Sequence, residues 1–271
     1  RLKENKIRIN TIVNWNENQS ADKGFSLGVK TFYNKSNFKG YSPIFINYFF
    51  HPERQPLPAE IKKKYFPNSY YVPHKKMFSH INAYAPEVKL YECPIFRSNE
   101  VLSNRIAPLK SIKNILISLP LDKTEAFYTI KQILKADFTD HKVTINFHPA
   151  FNSAYIKKIS EITKKKFIIS NDNFLNLIKK NDCVISLSSS VALESILLGK
   201  KLISPISSNF LNDSPSSMIF GNKYENIAYN SEDYKLILSK MKRYTDSDIK
   251  YFKLMKKKLI ITKEKILSFI D

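Results

Sequence analysis

Short apolar runs alternate with amphipathic segments between about residue 111 and residue 205. Each run has the length of a buried strand, and each intervening segment repeats its apolar residues at the spacing of one helical face. The predicted strands are 112–120, 142–149, 166–170, 182–187 and 201–205, and the predicted helices are 122–136, 153–165, 173–180 and 190–199. This alternation predicts an α/β fold with a parallel, doubly wound sheet. Asp122 and Ser153 are the predicted N-caps of two of these helices, and Gly199 is the predicted C-cap of another.

The chain before residue 111 is less regular. Strands are predicted at 6–15, 42–50 and 88–92 and helices at 21–35 and 75–84, while the Pro-rich stretch 51–74 indicates a loop. The segment 94–111 has no periodicity and is the predicted linker. The C-terminal segment 246–271 has the pattern of one long helix capped by Asp246 or Ser247.

These patterns predict two domains. The first covers 1–109, and the second covers 110–271 and includes the C-terminal helix. The first region is short for a complete domain and the chain has no initiator Met, so we expect a piece of a longer protein.

The stretch VISLSSSVALESILLG (184–199) places serines at the start of a predicted helix. Helix N-termini at the carboxyl edge of a parallel sheet attract anions, and the hydroxyls of Ser188, Ser189 and Ser190 add donors there. The alternative is that one serine only caps the helix. Glu194 follows one turn later, where it accepts bonds from a ribose or the serines, completes a capping box, or is solvated.

Two further segments carry candidate chemistry. His148 precedes Pro149 at the end of a predicted strand, on the same sheet edge as the serines, and a histidine there can bind a phosphate or protonate a leaving group. The turn NWNENQSADKG (14–24) contains Glu17 and Asp22, and either carboxylate is a candidate general base. The alternative for this turn is capping of the helix that follows.

Composition narrows the function classes. The net charge is +20, from 44 Lys and Arg against 24 Asp and Glu, and favours polyanions, anionic lipid surfaces or phosphorylated substrates. The lysines do not cluster on one element and no nucleic-acid-binding motif is present, so we predict no nucleic-acid partner. Two cysteines are too few for a disulfide scaffold and favour a cytoplasmic setting. The sequence has no run of roughly 18 apolar residues that would span a bilayer.

Several common site motifs are absent from the sequence. It contains no GxGxxG, GxxxxGK[ST] or GxSxG pattern, which argues against a dinucleotide oxidoreductase, a P-loop NTPase and an α/β-hydrolase. HxxxH, CxxC and DxD arrangements are missing too, so no metal cofactor is predicted.

The motif set resembles a known family. A His-Pro after one strand, followed by D-x-V-I-S-x-S-S-S-x-A-x-E-x-x-x-x-G-K from Asp182 to Lys200, is similar to the donor-binding half of GT-B glycosyltransferases. Within that fold it most resembles bacterial sialyltransferases and Kdo transferases, which use CMP-activated sugar acids. WNENQSADKG also resembles a segment of bacterial surface carbohydrate biosynthesis proteins, but Asp22-Lys23-Gly24 departs from the family's acidic D/E-D/E-G motif.

The resemblance implies a GT-B-like fold with two Rossmann-like domains facing across a cleft. It implies that His148 and Ser188 to Ser190 bind the CMP phosphate, that Asp172 or Asn173 contacts the cytidine, and that Glu17 or Asp22 deprotonates the acceptor. The implied enzyme transfers a nonulosonate or Kdo, without a metal, to a bacterial surface glycan or lipid-linked acceptor, at the inner face of the cytoplasmic membrane in contact with anionic lipids.

Other activities stay open on the sequence alone. One alternative is a UDP-sugar transferase or 2-epimerase, and another is a CDP-glycerol-type transferase. A non-catalytic module that binds a nucleotide sugar or a polyanion is an alternative of a different class.

Overall fold

The computed structural model describes residues 7–42, 45, 54–106, 109, 111–164, 166–187, 190–206 and 214–270. Its backbone divides into two compact units. Unit 1 comprises Arg1–Asn99 and Lys258–Asp271, and unit 2 comprises Glu100–Lys257.

Unit 1 contains a four-stranded parallel sheet in the order β1-β2-β3-β4. Its elements are β1 (Thr11–Trp15), α1 (Ser20–Phe32), β2 (Asn37–Tyr41), α2 (Pro58–Lys62), β3 (Ser69–Val72), α3 (Phe78–Asn82) and β4 (Lys89–Glu92). Gly40 allows close packing in this unit, because a Cβ there would lie 2.5 Å from Pro67 and 2.9 Å from Tyr70. Tyr70 and Phe66 are fully buried nearby, so the small residue makes room for aromatic side chains.

Unit 2 contains a six-stranded parallel sheet in the order β7-β6-β5-β8-β9-β10. In chain order this unit runs α4 (Asn99–Leu102, whose first residue belongs to unit 1), β5 (Asn114–Ser118), α5 (Lys123–Lys135), β6 (Lys142–Asn146), α6 (Ser153–Thr163), β7 (Ile168–Ser170), α7 (Phe174–Lys180), β8 (Cys183–Ser186), α8 (Ser190–Leu197), β9 (Lys201–Pro205), α9 (Pro215–Phe220), β10 (Glu225–Ala228), α10 (Asp233–Lys240) and α11 (Asp246–Leu259, whose last two residues belong to unit 1). The strand order reverses between β5 and β8, which is the arrangement of a Rossmann fold.

Both faces of this second sheet are covered by helices. Ile115 and Ile117 face a core that includes Ile130 of α5 and Ile159 of α6. Leu116 and its neighbours face the opposite core, with Leu177 and Ile178 of α7. The predicted doubly wound α/β fold is therefore confirmed.

Most predicted elements between 111 and 205 are present, and their caps explain their boundaries. Asp122 accepts hydrogen bonds from the N–H groups of Thr124 and Glu125, as predicted. The cap of α6 is Asn152 rather than Ser153, because the Asn152 side chain accepts from Tyr155 N–H. Gly199 has φ of 78°, the left-handed conformation expected of a helix C-cap.

The irregular parts of the sequence were predicted less well. The Pro-rich composition of 51–74 predicts a loop, but Pro58–Lys62 forms α2 and Ser69–Val72 forms β3. The strand predicted at 42–50 lies mostly outside the described residues, and the strand before it is β2. Elements α9, β10 and α10 carry no prediction at all, since their periodicity is weak.

The C-terminal segment is two helices, not one. α11 ends at Leu259, and α12 covers Lys263–Ile270. Thr262 starts α12, because its hydroxyl accepts from Lys265 N–H at 3.3 Å and its carbonyl from Ile266 N–H. The chain thereby returns to unit 1, whereas the predicted division at 109/110 assigned all of 246–271 to the second domain. Among the described helices, none has the length and apolar character that a bilayer crossing requires.

Candidate functional site

Polar side chains form a row at the carboxyl edge of the second sheet. Ser118 of β5 is in register with Asn146 of β6 on one side and with Ser186 of β8 on the other. Residues in register point to the same face of a sheet, so the row crosses the position where the strand order reverses. In open α/β sheets this switch point is where ligands bind.

Ser186 is the unusual member of this row. It is 1% exposed, and its Oγ has no hydrogen-bond partner among the described residues. A buried hydroxyl without a partner costs roughly 1–3 kcal/mol, so such a group needs an explanation. α8 begins four residues later at Ser190, and the dipole at the N-terminus of a helix favours an anion in this region.

The predicted serine cluster is only partly described. Ser190 is half-buried at the start of α8, while Ser188 and Ser189 lie outside the described residues. Glu194 is 6% exposed on α8, which excludes the interpretation of a solvated helix residue. The buried carboxylate and the buried hydroxyl thus both belong to the β8–α8 segment.

The two charged ends of the β8–α8 motif have structural contacts at the opposite edge of the sheet. Asp182 accepts hydrogen bonds from the backbone N–H groups of Lys113 and Asn114 at 3.0 and 2.9 Å. Lys200 precedes β9 and its Nζ is 3.4 Å from the carbonyl of Lys179. Only the serine-bearing half of the motif therefore lies at the carboxyl edge.

His148 follows β6 on the edge that carries the polar row. Its Nδ1 accepts a hydrogen bond from Ala150 N–H at 3.2 Å. Since that nitrogen is the acceptor, the neutral ring carries its proton on Nε2. The side chain is half-buried and can donate from Nε2 to an anion or a leaving group.

Asp172 and Asn173 are exposed and organise the start of α7. Asn173 accepts from Leu175 N–H at 2.8 Å, so it is the helix N-cap. Asp172 accepts from Asn173 N–H and forms an ion pair with Lys180 at 3.2 Å. These hydrogen bonds keep the pKa of the Asp172 carboxyl below its ordinary value, with those from Asn176 and Lys180 the largest causes. The predicted contact with a nucleoside stays a prediction.

The two carboxylates in the turn between β1 and α1, those of Glu17 and Asp22, have different hydrogen-bond partners. Asp22 accepts from the backbone N–H groups of Glu17 and Gln19, both at 3.0 Å, which is the geometry of a capping residue in the first helical turn. Glu17 instead pairs with Arg54 at 2.5 Å and accepts from the Trp15 indole at 2.9 Å. The Glu17 carboxylate is therefore held by side chains alone, whereas that of Asp22 accepts from two backbone groups and, at 3.4 Å, from the Asn14 side chain.

Some residues of the candidate site cannot be predicted from the sequence. Ser118 and Ser186 end two strands that are far apart in the chain, and only the strand pairing brings them into one row. Arg54 lies in a stretch predicted as loop, so its ion pair with Glu17 has no sequence signal. Within the described part of the chain, no three His, Cys, Asp or Glu side chains are grouped to hold a metal ion.

No protein-family model matches the chain, and no curated protein matches it either. Solved structures do match its fold. A glycosyltransferase from Rickettsia africae aligns over 95% of this chain and 73% of its own, with 11% identity and a TM-score of 0.54. UDP-GlcNAc 2-epimerase from Methanocaldococcus jannaschii aligns over 99% and 79%, with 15% identity and a TM-score of 0.58.

A third similar structure contains a ligand. UDP-GlcNAc 2-epimerase from Neisseria meningitidis, bound to UDP-GlcNAc, aligns over 97% of this chain and 73% of its own, with 15% identity and a TM-score of 0.51. At such low identities the similarity establishes the fold alone. The chain has a GT-B-like fold with two Rossmann-like parallel sheets, as the resemblance implied.

Proposed function

We propose that this chain is a glycosyltransferase that binds a nucleotide-activated sugar at the carboxyl edge of the second sheet. The observation that carries the proposal is the buried, unpartnered hydroxyl of Ser186, in register with Ser118 at the switch point and just before α8. A donor phosphate supplies the acceptor oxygen that this hydroxyl lacks. The dipole at the N-terminus of α8 adds to its binding.

Each candidate residue has a role in this proposal. Ser190 and the neighbouring Ser188 and Ser189 donate to the phosphate, and Glu194 holds the segment or accepts from the ribose. His148 donates a hydrogen bond from Nε2–H to the leaving phosphate and stabilises the negative charge that develops there as the glycosidic bond breaks. Asp172 and Asn173 are placed at the end of the third strand of this sheet for contact with the base.

Glu17 is the better candidate for the base that deprotonates the acceptor hydroxyl. Oδ2 of Asp22 accepts two backbone N–H groups, and removing that carboxylate would leave those donors without this partner. Glu17 is held by Arg54 and Trp15, and a carboxylate can accept a further proton on its remaining lone pairs. We therefore assign acceptor activation to Glu17 and helix capping to Asp22.

A uridine nucleotide is the favoured donor. Two of the proteins with similar folds are named for UDP-GlcNAc, and this supports the UDP-sugar alternative over the CMP-activated sugar acid. The CMP donor rests on the sequence motif alone, and the CDP-glycerol-type transferase has no observation in its favour. The same two proteins make 2-epimerisation the second candidate reaction.

One set of incubations separates these possibilities. The protein is incubated with UDP-GlcNAc or with CMP-N-acetylneuraminate, with and without bacterial glycan extract, and nucleotide release and sugar epimerisation are followed by chromatography. We expect UDP release that depends on His148 and Glu17, with loss of at least roughly 100-fold in His148→Gln or Glu17→Gln. Accumulation of the 2-epimer without an acceptor would instead identify an epimerase.

A non-catalytic module is the remaining alternative. Such a module would bind the nucleotide sugar without releasing UDP and without forming the 2-epimer. Its affinity for the nucleotide sugar would not change in Glu17→Gln. The same assay with a chelator tests the predicted independence from metal ions. Binding to anionic vesicles tests the predicted contact with the cytoplasmic membrane.

A further inference from the structure

A second candidate site lies within unit 1. A cavity of about 230 Å³ opens at the carboxyl ends of β3 and β4. Its walls include Tyr71 and Phe269, and its polar groups include His74, Glu92, Lys258 and Lys265. None of these residues takes part in the nucleotide site proposed above, which unit 2 carries.

His74 is a buried residue whose ring supplies a donor that is not used by any described residue. It is 7% exposed, and its Nδ1 accepts from Lys76 N–H at 3.2 Å. The ring proton is therefore on Nε2, which donates to no described residue. Burial lowers the pKa of this imidazole more than the nearby Glu92 raises it, so the ring is neutral at physiological pH. A neutral donor inside a cavity is suited to an uncharged oxygen such as a hydroxyl.

The aromatic walls are rigid and apolar. Tyr71 stacks on Tyr91 with ring centroids 4.9 Å apart and an interplanar angle of 20°. Tyr71 also meets the Phe269 ring in a T-shaped contact, with ring centroids 4.7 Å apart. Aromatic side chains held in this way form an apolar wall for the C–H groups of a small saturated ring.

The charges at the cavity favour an anionic ligand. Lys265 is fixed by donating to the carbonyls of Lys258 and Ile260 at 2.6 and 2.7 Å, so its charge stays beside the cavity. Lys258 is exposed, and its ammonium has no carboxylate partner among the described residues. Among the described lining residues Glu92 is the only acid, and its carboxylate accepts from Lys75 N–H at 3.0 Å.

We propose that this cavity binds one acidic monosaccharide unit, with its ring against the aromatic walls and its carboxylate at Lys258. The hydroxyls of such a sugar both donate and accept, which matches the carboxylate of Glu92 and the Nε2–H of His74. The volume is below the roughly 300–1,000 Å³ of cavities that take drug-sized ligands, so it holds one ring. Assigning this unit to the acceptor glycan rests on the proposed function, but binding itself requires no donor.

The direct test is a titration of the whole chain with three small probes. The probes are D-glucuronate, D-glucose and inorganic phosphate. Comparing their affinities separates the contribution of the sugar ring to binding from that of the negative charge. We expect glucuronate to bind with a Kd of about 1 mM and glucose to bind at least roughly fivefold more weakly. The imidazole NMR signals of His74, assigned with His74→Gln among the five histidines, should shift on addition of glucuronate.

Two variants and a matched control locate the contacts. Lys258→Ala should abolish the preference for glucuronate over glucose, and His74→Gln should weaken both sugars roughly fivefold. Lys263→Ala removes an exposed lysine from α12 outside the cavity and should change neither affinity. The melting curve of each variant, followed by Trp15 fluorescence, verifies that unit 1 remains folded.

Three results would overturn the proposal. They are equal affinity for glucuronate and glucose, displacement of glucuronate by phosphate at equal concentration, and the absence of saturable shifts at His74. Because no nucleotide is present, each of these results leaves the proposed transferase function untouched. Conversely, a chain that lacks transferase activity can still bind glucuronate here.

Discussion

Lys201 is a buried cation at the start of β9. It is 7% exposed, and its Nζ lies 3.4 Å from the centroid of the Tyr244 ring. Burial lowers the pKa of this ammonium to about 8, although Asp248 acts in the opposite direction. Between this value and the ordinary lysine pKa, the unfolded chain binds more protons than the folded one, so this group makes stability rise with pH.

The variant Lys201→Met removes this titration. We expect it to be more stable than the parent chain at pH 7, with the difference shrinking by about 1–3 kcal/mol towards pH 10. Urea unfolding of both chains at several pH values measures the difference. Lys131→Met, at an exposed lysine that also contacts a ring, is the control. A difference in unfolding free energy between Lys201→Met and the parent chain that does not change with pH would show that Lys201 is not a buried cation with a lowered pKa.

Asp22 gives a second prediction for a single residue. Its carboxylate satisfies two backbone donors at the start of α1, so Asp22→Ala should lower the free energy of unfolding by about 1 kcal/mol. Glu161→Ala, at an exposed position of α6, should have little effect. Thermal unfolding followed by Trp15 fluorescence reports on the first change. If Asp22→Ala leaves unit 1 at full stability yet abolishes transfer, the assignment of base and cap must be exchanged.

The β8–α8 segment has different functions at its two ends, and this leads to a prediction for the element. Asp182 binds the start of β5, while Ser186 lies at the ligand edge. Asp182→Ala should therefore cost about 1–3 kcal/mol of stability, because two N–H groups lose their acceptor. Nucleotide affinity, measured by calorimetry at a temperature where the variant is folded, should not change. A large loss of affinity would mean that the whole motif belongs to the site.

The predictability of the elements follows from where their signals arise. The strands and helices between 111 and 205 have strong periodicity and local caps such as Asp122, so sequence alone gives them nearly correct bounds. α2 and β3 were missed because Pro-rich composition hides short elements that tertiary contacts hold. The end of α11 was missed because Asn99, distant in sequence, accepts from Ile261 N–H, and Lys265 caps the final carbonyls.

At the scale of the whole molecule, the chain ends in the unit where it begins. Phe269 of α12 is 7% exposed among Tyr41, Tyr71 and Phe96, and its carbonyl accepts from the buried Lys39 at 2.9 Å. Sequence periodicity cannot predict this return, because an amphipathic helix pattern does not state which unit its apolar face joins. The sequence motif predicts the serines of the β8–α8 segment. It does not predict the polar row of Ser118, Asn146 and Ser186, because only strand pairing brings these residues together.

This arrangement predicts that α12 stabilises unit 1 specifically. Phe269→Ala should destabilise unit 1 by about 3 kcal/mol, as expected for truncation of a buried aromatic side chain. Trp15, the only tryptophan, contacts Tyr41 with ring centroids 6.4 Å apart and reports on this unit. Nucleotide affinity in unit 2 should be preserved. If Phe269→Ala lowered the nucleotide affinity of unit 2 as strongly as it lowered the stability of unit 1, unit 2 would not bind the donor independently.

The proposed nucleotide site depends on the buried Ser186 hydroxyl, which would donate a hydrogen bond to a phosphate of the sugar donor. The decisive measurement is calorimetric titration of UDP into the parent chain, Ser186→Ala and Ser195→Ala, together with the stability of each free protein. Ser195 is the matched control because its hydroxyl, also on the β8–α8 segment, already donates to the Val191 carbonyl at 2.6 Å. We predict that Ser186→Ala is at least as stable as the parent but binds UDP roughly five- to tenfold more weakly, whereas Ser195→Ala binds normally. Unchanged UDP affinity in Ser186→Ala, or equal weakening in both variants, would contradict the account.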